Sequence, residues 1–550
     1  MLLFQDILEL TKSEARKHIE TLDDKDVIFD QTDHAHITIR LIRYEKTVDN
    51  FDTKLQAIMK ELKKLPFIKS LEYEKGYINI FADGWYLLNA MHESLETTGS
   101  FPDSFQDPER VSVEHTSTNP TGPIHMGRIR NSIIGDSIAR LMERYGYRVV
   151  TQYYVNDSGK QMVSLYLGYE KFHKGEKLTK EILLDGYKKI YGYFEQKGDE
   201  KEVESLMEKY EKGDDNLISQ IKNIAQIMLD DIVSDLNLLN IKMDEFTWES
   251  EFIVTGETEE VVRDLSEYIQ EEDGAKYIDV PNVRKIFVKR KNGTSLYVTR
   301  DIAYHMYKFS QYDKCIVVVG EDHKEHGKIM DYVMHQLLDY KNSLDFVYYG
   351  MVNLESGRMS TRKGTSVTVK EVYEKLYEKA RNEVMNRYGN EDDVDKISRD
   401  IAVSSLRFYM LKINMQKPIT FKWDDALDFN GETAPFIMYS YTRASSIMEK
   451  LKESSGEATP ENLEKEEDDL ILEMYKYPYK IIDATRSLRP DIITGYILDL
   501  SKKFTTFYEK CKVLGEEEGV EQRRVNILKT YMNIIDDSSQ LVGIKNVKKM

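Results

Sequence analysis

Residues 118–128, TNPTGPIHMGR, contain residue types suited to binding a polyphosphate. They follow a strand-like run, VSVEHT, and lead into a helix-like run. Gly122 and Gly127 let a ligand approach the backbone, and the start of the helix offers unpaired N–H groups at the positive end of its dipole. His125 could donate to a phosphate oxygen, and Arg128 adds positive charge. Taken alone, the segment could equally be a structural turn with a satisfied histidine.

A second candidate, residues 357–364 (GRMSTRKG), combines positive charge with small residues. Arg358, Arg362 and Lys363 lie within a short segment bounded by glycines. A cationic loop of this kind can close on a transferring phosphoryl group and stabilise its developing charge. A solvated basic loop without a catalytic role is the alternative.

Acidic residues at two other places could bind a cationic substrate. Glu114 lies near the end of the first strand-like run. In residues 296–301, LYVTRD, the pattern predicts a strand along which Tyr297, Thr299 and Asp301 alternate. Guanidinium groups bind carboxylates through two parallel hydrogen bonds. A carboxylate taken singly is also often a surface or capping residue, so both readings remain open for each.

Residues 111–155 have the pattern of a βαβ unit. A strand, a Pro/Gly loop, a helix that ends near Gly146 and a second strand, RVVTQYYV, follow one another. Such units form parallel sheets, and ligands bind at the carboxyl ends of the strands. The candidate phosphate loop would therefore lie at the edge of the sheet where ligands bind.

The rest of the chain predicts an α/β fold with an added all-α region. Residues 1–105 alternate helical patterns with short strands and indicate a small α+β domain. Residues 106–397 form the predicted parallel-sheet domain, in which the charged helical run 175–245 looks like an insertion between halves of the sheet. Later strands are predicted at KIFVKR, SLYVTR, CIVVVG and DFVYYGMV. Residues 398–550 are helical in pattern and predict a helix bundle.

Composition limits the class of protein. The 550 residues are 41% hydrophobic and 31% charged, which excludes collagen-like and wholly disordered chains. No run approaches the roughly 20 apolar residues of a membrane span. The two cysteines, Cys315 and Cys511, exclude a disulfide framework and fit a reducing cytoplasm. The net charge of −19 does not suggest a nucleic-acid partner, but residues 470–550 carry a net charge of +3.

Together, the ordered motifs resemble the HIGH and KMSKS signatures of class I aminoacyl-tRNA synthetases. The fuller strings VEHTSTNPTGPIHMGRIRNSIIGDSIARLMERYGY, VNDSGKQ, LYVTRD, GRMSTRKG and LVGIKNVKKM are similar to those of arginyl-tRNA synthetases. The same is true of SLRFYMLKINMQKPITFKWDDALDFNGETAPFIMYSYTRASSI. The resemblance extends from about residue 110 to the last residue. Residues 1–105 match the family's extra N-terminal, tRNA-contacting domain only in size and position.

The resemblance implies a Rossmann-like catalytic domain and an anticodon-binding helix bundle. It also implies a two-step reaction, in which arginine and Mg²⁺-ATP form arginyl-adenylate and the arginyl group then passes to the 3′-terminal adenosine of tRNA(Arg). The implied catalytic residues are His125, Arg128, Arg358, Ser360, Arg362 and Lys363. The implied ATP-binding residues are Pro123, His125, Gly127, Arg128, Asp322, His323 and Met359. The implied arginine-binding residues are Glu114, Asn119, Glu249, Tyr297 and Asp301.

For tRNA, the candidate contacts are Arg443, Lys502, Arg523 and Met550. Tyr439, Tyr441 and Phe504 are candidates for stacking on unpaired anticodon bases, with a core position as the alternative for each aromatic. The other histidines, including His173, His326 and His335, are predicted to be surface or core residues.

Three departures from the signatures affect individual roles. Arg128 replaces the second histidine of HIGH, Arg358 replaces the first lysine of KMSKS, and Thr361 replaces the second lysine. The His and Cys spacing offers no zinc site, so ATP and Mg²⁺ are the expected cofactors. A monomer in the cytoplasm without a membrane partner is expected. The alternatives are a class I synthetase for another amino acid and a catalytically silent tRNA-binding paralogue.

Overall fold

The structure is a computed structural model of the chain. It describes residues 4–29, 35–99, 101–102, 108–197, 200–354, 367–388, 393–426, 428, 431–451, 457–461 and 463–549. Within these residues no helix is both long enough and apolar enough to cross a membrane.

The N-terminal part is a four-stranded antiparallel sheet with three helices. Its elements are α1 (Phe4–Arg16), β1 (Val27–Phe29), β2 (Ile37–Arg40), α2 (Phe51–Leu62), β3 (Ile68–Glu74), β4 (Tyr77–Ala82) and α3 (Gly84–Thr98). The strand order is β1-β2-β4-β3. Residues along β4 alternate between buried and partly exposed, as expected for a strand with one face on a core. The helix and strand patterns predicted here are confirmed.

The central part contains a five-stranded parallel sheet and many helices. Its elements are β5 (Arg110–Glu114), α4 (Met126–Arg144), β6 (Arg148–Val155), α5 (Gly159–Phe172), α6 (Lys180–Lys197), α7 (Lys201–Glu211), α8 (Asp215–Leu238), β7 (Glu245–Trp248), α9 (Glu249–Val254), α10 (Glu257–Asp264), β8 (Gln270–Glu272), β9 (Ala275–Asp279), β10 (Lys285–Lys289), α11 (Tyr297–Gln311), β11 (Lys314–Gly320), α12 (Lys324–Tyr332), β12 (Ser343–Tyr349) and β13 (Val352–Leu354). The sheet order is β12-β11-β5-β6-β7. The predicted parallel sheet is therefore confirmed.

The C-terminal part is helical. Its elements are α13 (Val369–Tyr388), α14 (Val394–Leu411), β14 (Ile419–Phe421), α15 (Trp423–Ala426), α16 (Ala434–Lys450), α17 (Lys465–Tyr475), α18 (Tyr477–Ser487), α19 (Asp491–Lys510) and α20 (Glu518–Leu541). Strand β14 pairs in parallel with β13. The predicted helix-rich end of the chain is confirmed.

One prediction about the central part is wrong. The run SLYVTR is not a strand, because Tyr297 begins the 15-residue helix α11, whose apolar face is buried along its whole length. Its aromatic and β-branched residues favour a strand locally, but packing overrides that preference. The predicted helical run in residues 175–245 lies between β6 and β7 and contains α6, α7 and α8. Residues 249–313, which include the small antiparallel sheet β8–β10, connect β7 to β11 on the other side of β5.

Helix α4 is buried on nearly all sides, between the parallel sheet and the C-terminal helices. Gly135 allows the close approach, because a Cβ there would lie 2.2 Å from the His115 Cβ. On the other side, the buried Arg407 of α14 pairs with Asp136. The phosphate-binding candidate at the start of α4 is therefore part of a rigid core.

Arg130, also on α4, is fully buried and joins three parts of the fold. Its guanidinium donates to the carbonyl oxygens of Gly350 (2.8 Å), Lys417 (2.6 Å), Met410, Ile413 and Asn414 (3.3 Å each). Burial lowers its pKa to about 10. Arg130 thus connects the helix after the phosphate loop to the end of β12 and to the end of α14.

Candidate active site

The loop after β5 leaves the carboxyl edge of the sheet in a fixed conformation. Thr116 and Ser117 both have positive φ, 70° and 30°. The Thr116 N–H donates to Asn131 Oδ1 of α4 (2.5 Å), and the Tyr153 hydroxyl donates to the Thr118 carbonyl (2.6 Å). The loop therefore lies where ligands of parallel sheets bind.

His125 occupies the N-cap position of α4 in an extended conformation. Its Nδ1 is buried and has no hydrogen-bond partner among the described residues. Burial, and then the charge of Arg128, lower the pKa of His125 to about 4, so the ring is neutral at physiological pH. A buried imidazole nitrogen without a protein partner, beside a helix N-terminus, is suited to a phosphate ligand.

The segment after the cationic loop pairs with the His125 loop. The Met126 N–H donates to Val367 O (2.9 Å), the Val369 N–H donates to Ile124 O (3.0 Å), and His125 bridges to Thr368. The predicted residues of the cationic loop, Arg358, Met359, Ser360, Arg362 and Lys363, lie outside the described residues, as does Thr361. Their chain neighbours at 367–369 nevertheless contact the phosphate-binding candidate directly.

The remaining predicted ATP-binding residues lie at the same edge of the sheet. Asp322 and His323 form an exposed single turn of 3₁₀ helix directly after β11. Arg128 is exposed, and both it and Asp322 act electrostatically on the buried Tyr349 at the end of β12. Gly127 is buried at the start of α4. Pro123 lies in the loop before α4 and is partly exposed.

Glu114 is the last residue of β5, and two neighbouring side chains donate to its carboxylate inside the protein. Its Oε2 accepts from Lys308 Nζ (2.8 Å), and its Oε1 accepts from the Ser117 hydroxyl (3.0 Å). Lys308 has a side-chain exposure of 0% and also lies over the Tyr304 ring. Buried charges persist when they are paired in this way.

Glu249 is likewise paired. Its Oε1 accepts from Arg300 Nε (2.5 Å), and both side chains are buried. Its Oε2 is buried and has no hydrogen-bond partner within the described part of the chain. The predicted third carboxylate is therefore present, but one of its two oxygens already has a cationic partner.

Asp301 lies on α11, and its Oδ2 accepts from Nε2 of His326 on α12. Burial acts to raise the pKa of Asp301, but His326 and His305 together hold it well below its ordinary value. His326, predicted to be a surface or core residue, is partly exposed and joins α12 to α11 through this contact.

One face of α11 connects these carboxylates. Tyr297, Asp301, His305 and Lys308 follow at intervals of four, four and three residues, so they share that face. His305 Nδ1 donates to the Asp301 carbonyl (2.9 Å), and its Nε2 lies 3.4 Å from Lys308 Nζ. The face thus forms a continuous polar path from Asp301 towards Glu114.

Two further residues predicted to bind arginine, Asn119 and Tyr297, lie near these carboxylates. Asn119 donates to Gln161 Oε1 (3.1 Å), which holds its amide beside the start of α5. Tyr297 is exposed, and its ring centroid lies 6.5 Å from that of His326. Both rings line an adjoining cavity of about 160 Å³. Asp301 therefore lies beside an accessible pocket rather than deep in the core.

Some of the candidate tRNA contacts are exposed on the helical part, and others are buried. Arg443 lies between two exposed aromatic rings, 4.4 Å from the Tyr439 centroid and 4.9 Å from the Tyr508 centroid. Lys502 is exposed and pairs with Glu432. Met550 lies outside the described residues, and Tyr441 is half-buried.

Arg523 and Phe504, both predicted to contact tRNA, are buried and do not lie on the protein surface. Arg523 has an exposure of 0%, and its guanidinium donates to both oxygens of Glu467 and to two carbonyls. Phe504 is buried and stacks on Tyr531. Both belong to the interior of the helical part. The prediction failed because core and surface residues of the same type lie close together in the sequence of a helix.

We expect Arg523→Lys to lower the free energy of unfolding by about 2 kcal/mol, because lysine keeps the charge but not the two-pronged contact with Glu467. The KM for tRNA should not change. Urea denaturation and aminoacylation kinetics would measure both quantities. Arg399→Lys, at an exposed position on α14, is the matched control. A raised tRNA KM with unchanged stability would restore Arg523 to the tRNA surface.

Sequence reasoning missed the cationic partners Lys308 and Arg300 and the histidines His305 and His326. The signal for two of them was present, since His305 and Lys308 lie four and seven residues after Asp301 and share its helix face once α11 is recognised as a helix. His326 carried no comparable signal, because it lies on another helix.

Comparisons with known proteins agree with this arrangement. Residues 92–423 match the family described as tRNA synthetases class I (R), catalytic domain, and residues 437–550 match the DALR anticodon binding domain. The arginine–tRNA ligase of Thermoplasma acidophilum is 42% identical over 553 residues and covers 100% of both chains. That of Archaeoglobus fulgidus is 35% identical and covers 88% of this chain and 89% of its own. The arginyl-tRNA synthetase of Thermus thermophilus has the same fold, with a TM-score of 0.83 at 23% identity over 100% of both chains.

A parallel-sheet domain that matches the class I catalytic family, followed by a helical part that matches the DALR anticodon binding domain, defines a class I aminoacyl-tRNA synthetase. Within that class, the chain belongs to the arginine–tRNA ligase family. The family predicted from the sequence is confirmed.

Proposed function

We propose that this protein activates L-arginine with ATP to form arginyl-adenylate and transfers the arginyl group to the 3′-terminal adenosine of tRNA(Arg). The observation that carries the proposal is the polar path along α11, which links the carboxylate at Asp301 to the strand that carries the His125 loop. A cation-binding cluster and a phosphate-binding loop are the two features that activation of arginine requires.

ATP would bind across the His125 loop and the start of α4. The neutral imidazole of His125 would donate to a phosphate oxygen, and the N–H groups at the helix start would bind the same anion. Arg128 and the cationic residues Arg358, Arg362 and Lys363 would stabilise the charge that develops on the departing pyrophosphate. Pro123, Gly127, Asp322, His323 and Met359 would border ATP, with Ser360 beside its phosphates.

Mg²⁺ would enter with ATP, coordinated mainly by phosphate oxygens, as is usual for this ion. We propose that zinc has no role. In the described ranges, one group of three potential ligands exists, Glu464, Glu466 and Cys511. Arg524 and Lys510 already pair with its two carboxylates, so it suits an ion pair network better than a metal.

Arginine would bind with its guanidinium at Asp301 and its α-amino group near Glu114 and Asn119. Tyr297 would cover the side chain, and Glu249 would add negative potential from behind Arg300. Because Glu114 and Glu249 are already paired with Lys308 and Arg300, the negative charge that favours a cationic amino acid and repels acidic ones comes from Asp301. This charge pattern argues against a synthetase for another class of amino acid.

The tRNA would contact the helical domain at the surface formed by Tyr439, Arg443 and Tyr508. Stacking of a base on an aromatic ring contributes about 1–3 kcal/mol. We therefore expect Tyr439→Ala to raise the KM for tRNA about tenfold and to leave the KM values for arginine and ATP unchanged. Steady-state aminoacylation measures all three. Tyr268→Ala, at another exposed tyrosine just before β8, is the matched control, and an unchanged tRNA KM in Tyr439→Ala would exclude this surface.

The predicted domain boundaries, residues 1–105, 106–397 and 398–550, remain part of the proposal. The α+β domain at 1–105 would contact tRNA, and Lys502 and Met550 would lie on the anticodon side. We also propose that the enzyme acts as a monomer in the cytoplasm.

The deciding experiment is aminoacylation of unfractionated tRNA with each amino acid in turn. Pyrophosphate exchange would be measured in parallel, with and without tRNA. We expect charging with arginine alone. Folded protein that charges no amino acid would instead support the catalytically silent paralogue.

A further inference from the structure

The three carboxylates of the arginine-binding cluster differ in the kind of cation that pairs with them. Glu114 pairs with Lys308 and Glu249 pairs with Arg300. Both cations are almost completely buried, at 0% and 4% side-chain exposure. Neither of these two cations is open to solvent, so each stays enclosed with its carboxylate.

Asp301 is paired with a histidine instead. The His326 ring contacts the Asp301 carboxylate through Nε2, and its side chain is 26% exposed, so a proton can exchange with solvent. Imidazole is the side chain whose charge changes near neutral pH. Asp301 is therefore the carboxylate of this cluster whose cationic partner can lose its charge by releasing a proton.

The second histidine beside Asp301 does not have this freedom. His305 has a side-chain exposure of 3%, against 26% for His326, so its ring has little contact with solvent. Its Nδ1 donates to the Asp301 carbonyl at 2.9 Å, and its Nε2 lies 3.4 Å from Lys308 Nζ. His326 is therefore the histidine beside Asp301 that can exchange a proton with solvent directly.

The surroundings of His326 support a protonated ring in the free enzyme. Burial lowers the pKa of His326, but the charge of Asp301 and its hydrogen bond outweigh burial and raise it above the ordinary value. Arg284, before β10, acts to lower the pKa, and Glu114 on β5 acts to raise it. Arg284 is itself paired with Glu325 at 2.8 Å, which reduces its effect.

We propose that His326 is a dissociable counter-ion that occupies the Asp301 carboxylate in the substrate-free enzyme, and that arginine binding expels its proton. The inference rests on the proposed role of Asp301 in binding the guanidinium. In the exchange, the imidazolium–carboxylate contact is replaced by a guanidinium–carboxylate contact, and one proton passes from His326 to solvent. A permanently charged substrate can displace the imidazolium because the histidine loses its charge rather than remaining as a second cation.

The sign of the pH dependence follows from the competition. Below the raised pKa of His326, the protonated ring opposes the guanidinium, so the KM for arginine rises as the pH falls. The rise approaches about tenfold per pH unit, since one proton is exchanged per substrate. Above that pKa the KM becomes constant. Saturating arginine removes the competition, so kcat should not follow the same curve.

The primary test compares the arginine KM across pH for the wild type and for His326→Gln. Glutamine can still donate to Asp301 but carries no titratable charge, so we expect a flat arginine KM. His335→Gln is the matched control, because His335, in the π-helical segment that follows α12, also contacts a carboxylate, that of Asp331 at 2.9 Å. The control should keep the wild-type slope. An equally steep slope in His326→Gln would overturn the proposal.

A second measurement uses the wild-type enzyme and does not depend on the variant folding. L-arginine would be titrated calorimetrically into enzyme with unfractionated tRNA, near pH 7, in phosphate and in Tris buffers. A difference in binding heat that corresponds to proton release is expected, and binding without proton release would overturn the proposal. Loss of arginine charging altogether would contradict the proposed function, whereas normal charging with a flat wild-type KM would contradict only the role of His326.

Discussion

Replacing His125 with alanine should reduce arginine-dependent pyrophosphate exchange by about 10²–10³-fold, because removal of one preorganised donor to transition-state charge typically has an effect of this size. The loss should appear in kcat, since the interaction strengthens as charge develops on the phosphate. The fold should be retained, because His125 lies in the loop before α4 and contributes no side-chain hydrogen bond to the described residues there.

The protonation state of His125 sharpens this expectation. Its pKa of about 4 keeps the ring neutral throughout the usual assay range, so titration of His125 should not lower kcat between roughly pH 8 and pH 6. Depression of the pKa also means that the folded state binds fewer protons than the unfolded state between about pH 6.5 and pH 4. The contribution of this residue to stability therefore falls as the pH falls through that window.

His92→Ala is the matched control for this variant. His92 is also half-buried, its pKa is also lowered by burial, and its Nδ1 also has no partner in the described structure. It lies on α3, in the N-terminal part. Equal loss of exchange activity in both variants would point to a general effect of removing a half-buried ring and would contradict the assignment of His125 to ATP.

Asp301→Asn should raise the KM for arginine about 100-fold, which corresponds to about 3 kcal/mol, and should leave the KM for ATP nearly unchanged. Asparagine keeps the shape of the side chain but removes the charge opposite the guanidinium. The folded state should tolerate the change, because His326 can lose its proton when the carboxylate is absent. Steady-state kinetics with each substrate varied in turn would measure both constants.

Asp331→Asn provides the control, since Asp331 also contacts a histidine, His335, at an exposed position on α12. It should leave both KM values unchanged. An arginine KM in Asp301→Asn within twofold of the wild type would remove Asp301 from the guanidinium site. A parallel rise in the KM for ATP would indicate a distorted cleft instead of a lost contact.

The two variants together distinguish the proposed ATP site from the proposed arginine site. His125 belongs to a loop fixed by α4 and by residues 367–369, whereas Asp301 belongs to α11 and contacts α12. Their effects should therefore appear in different kinetic constants.

The sequence by itself determined the features that depend on neighbouring residues. The order of strand, Pro/Gly loop and helix in residues 111–155 fixed the position of His125 at the carboxyl edge of a parallel sheet, because short connections leave few ways to arrange a βαβ unit. The ordered motifs also identified the family, and they indicated Glu114 and Asp301 as candidate ligands of a cationic substrate. The parallel sheet and the helical C-terminal part followed from periodicity.

Only the tertiary structure decided which charges are paired and which are available. Glu114 and Lys308 are 194 residues apart in sequence, and no local pattern connects Asp301 with His326. The same holds for Arg523, whose sequence context resembles a basic surface while its guanidinium is buried against Glu467. The physical reason is that burial and counter-ions are set by the packing of distant elements, whereas propensity and spacing report only on the local chain. Residues 297–301 show this most directly, since their composition favours a strand and their packing makes them a helix.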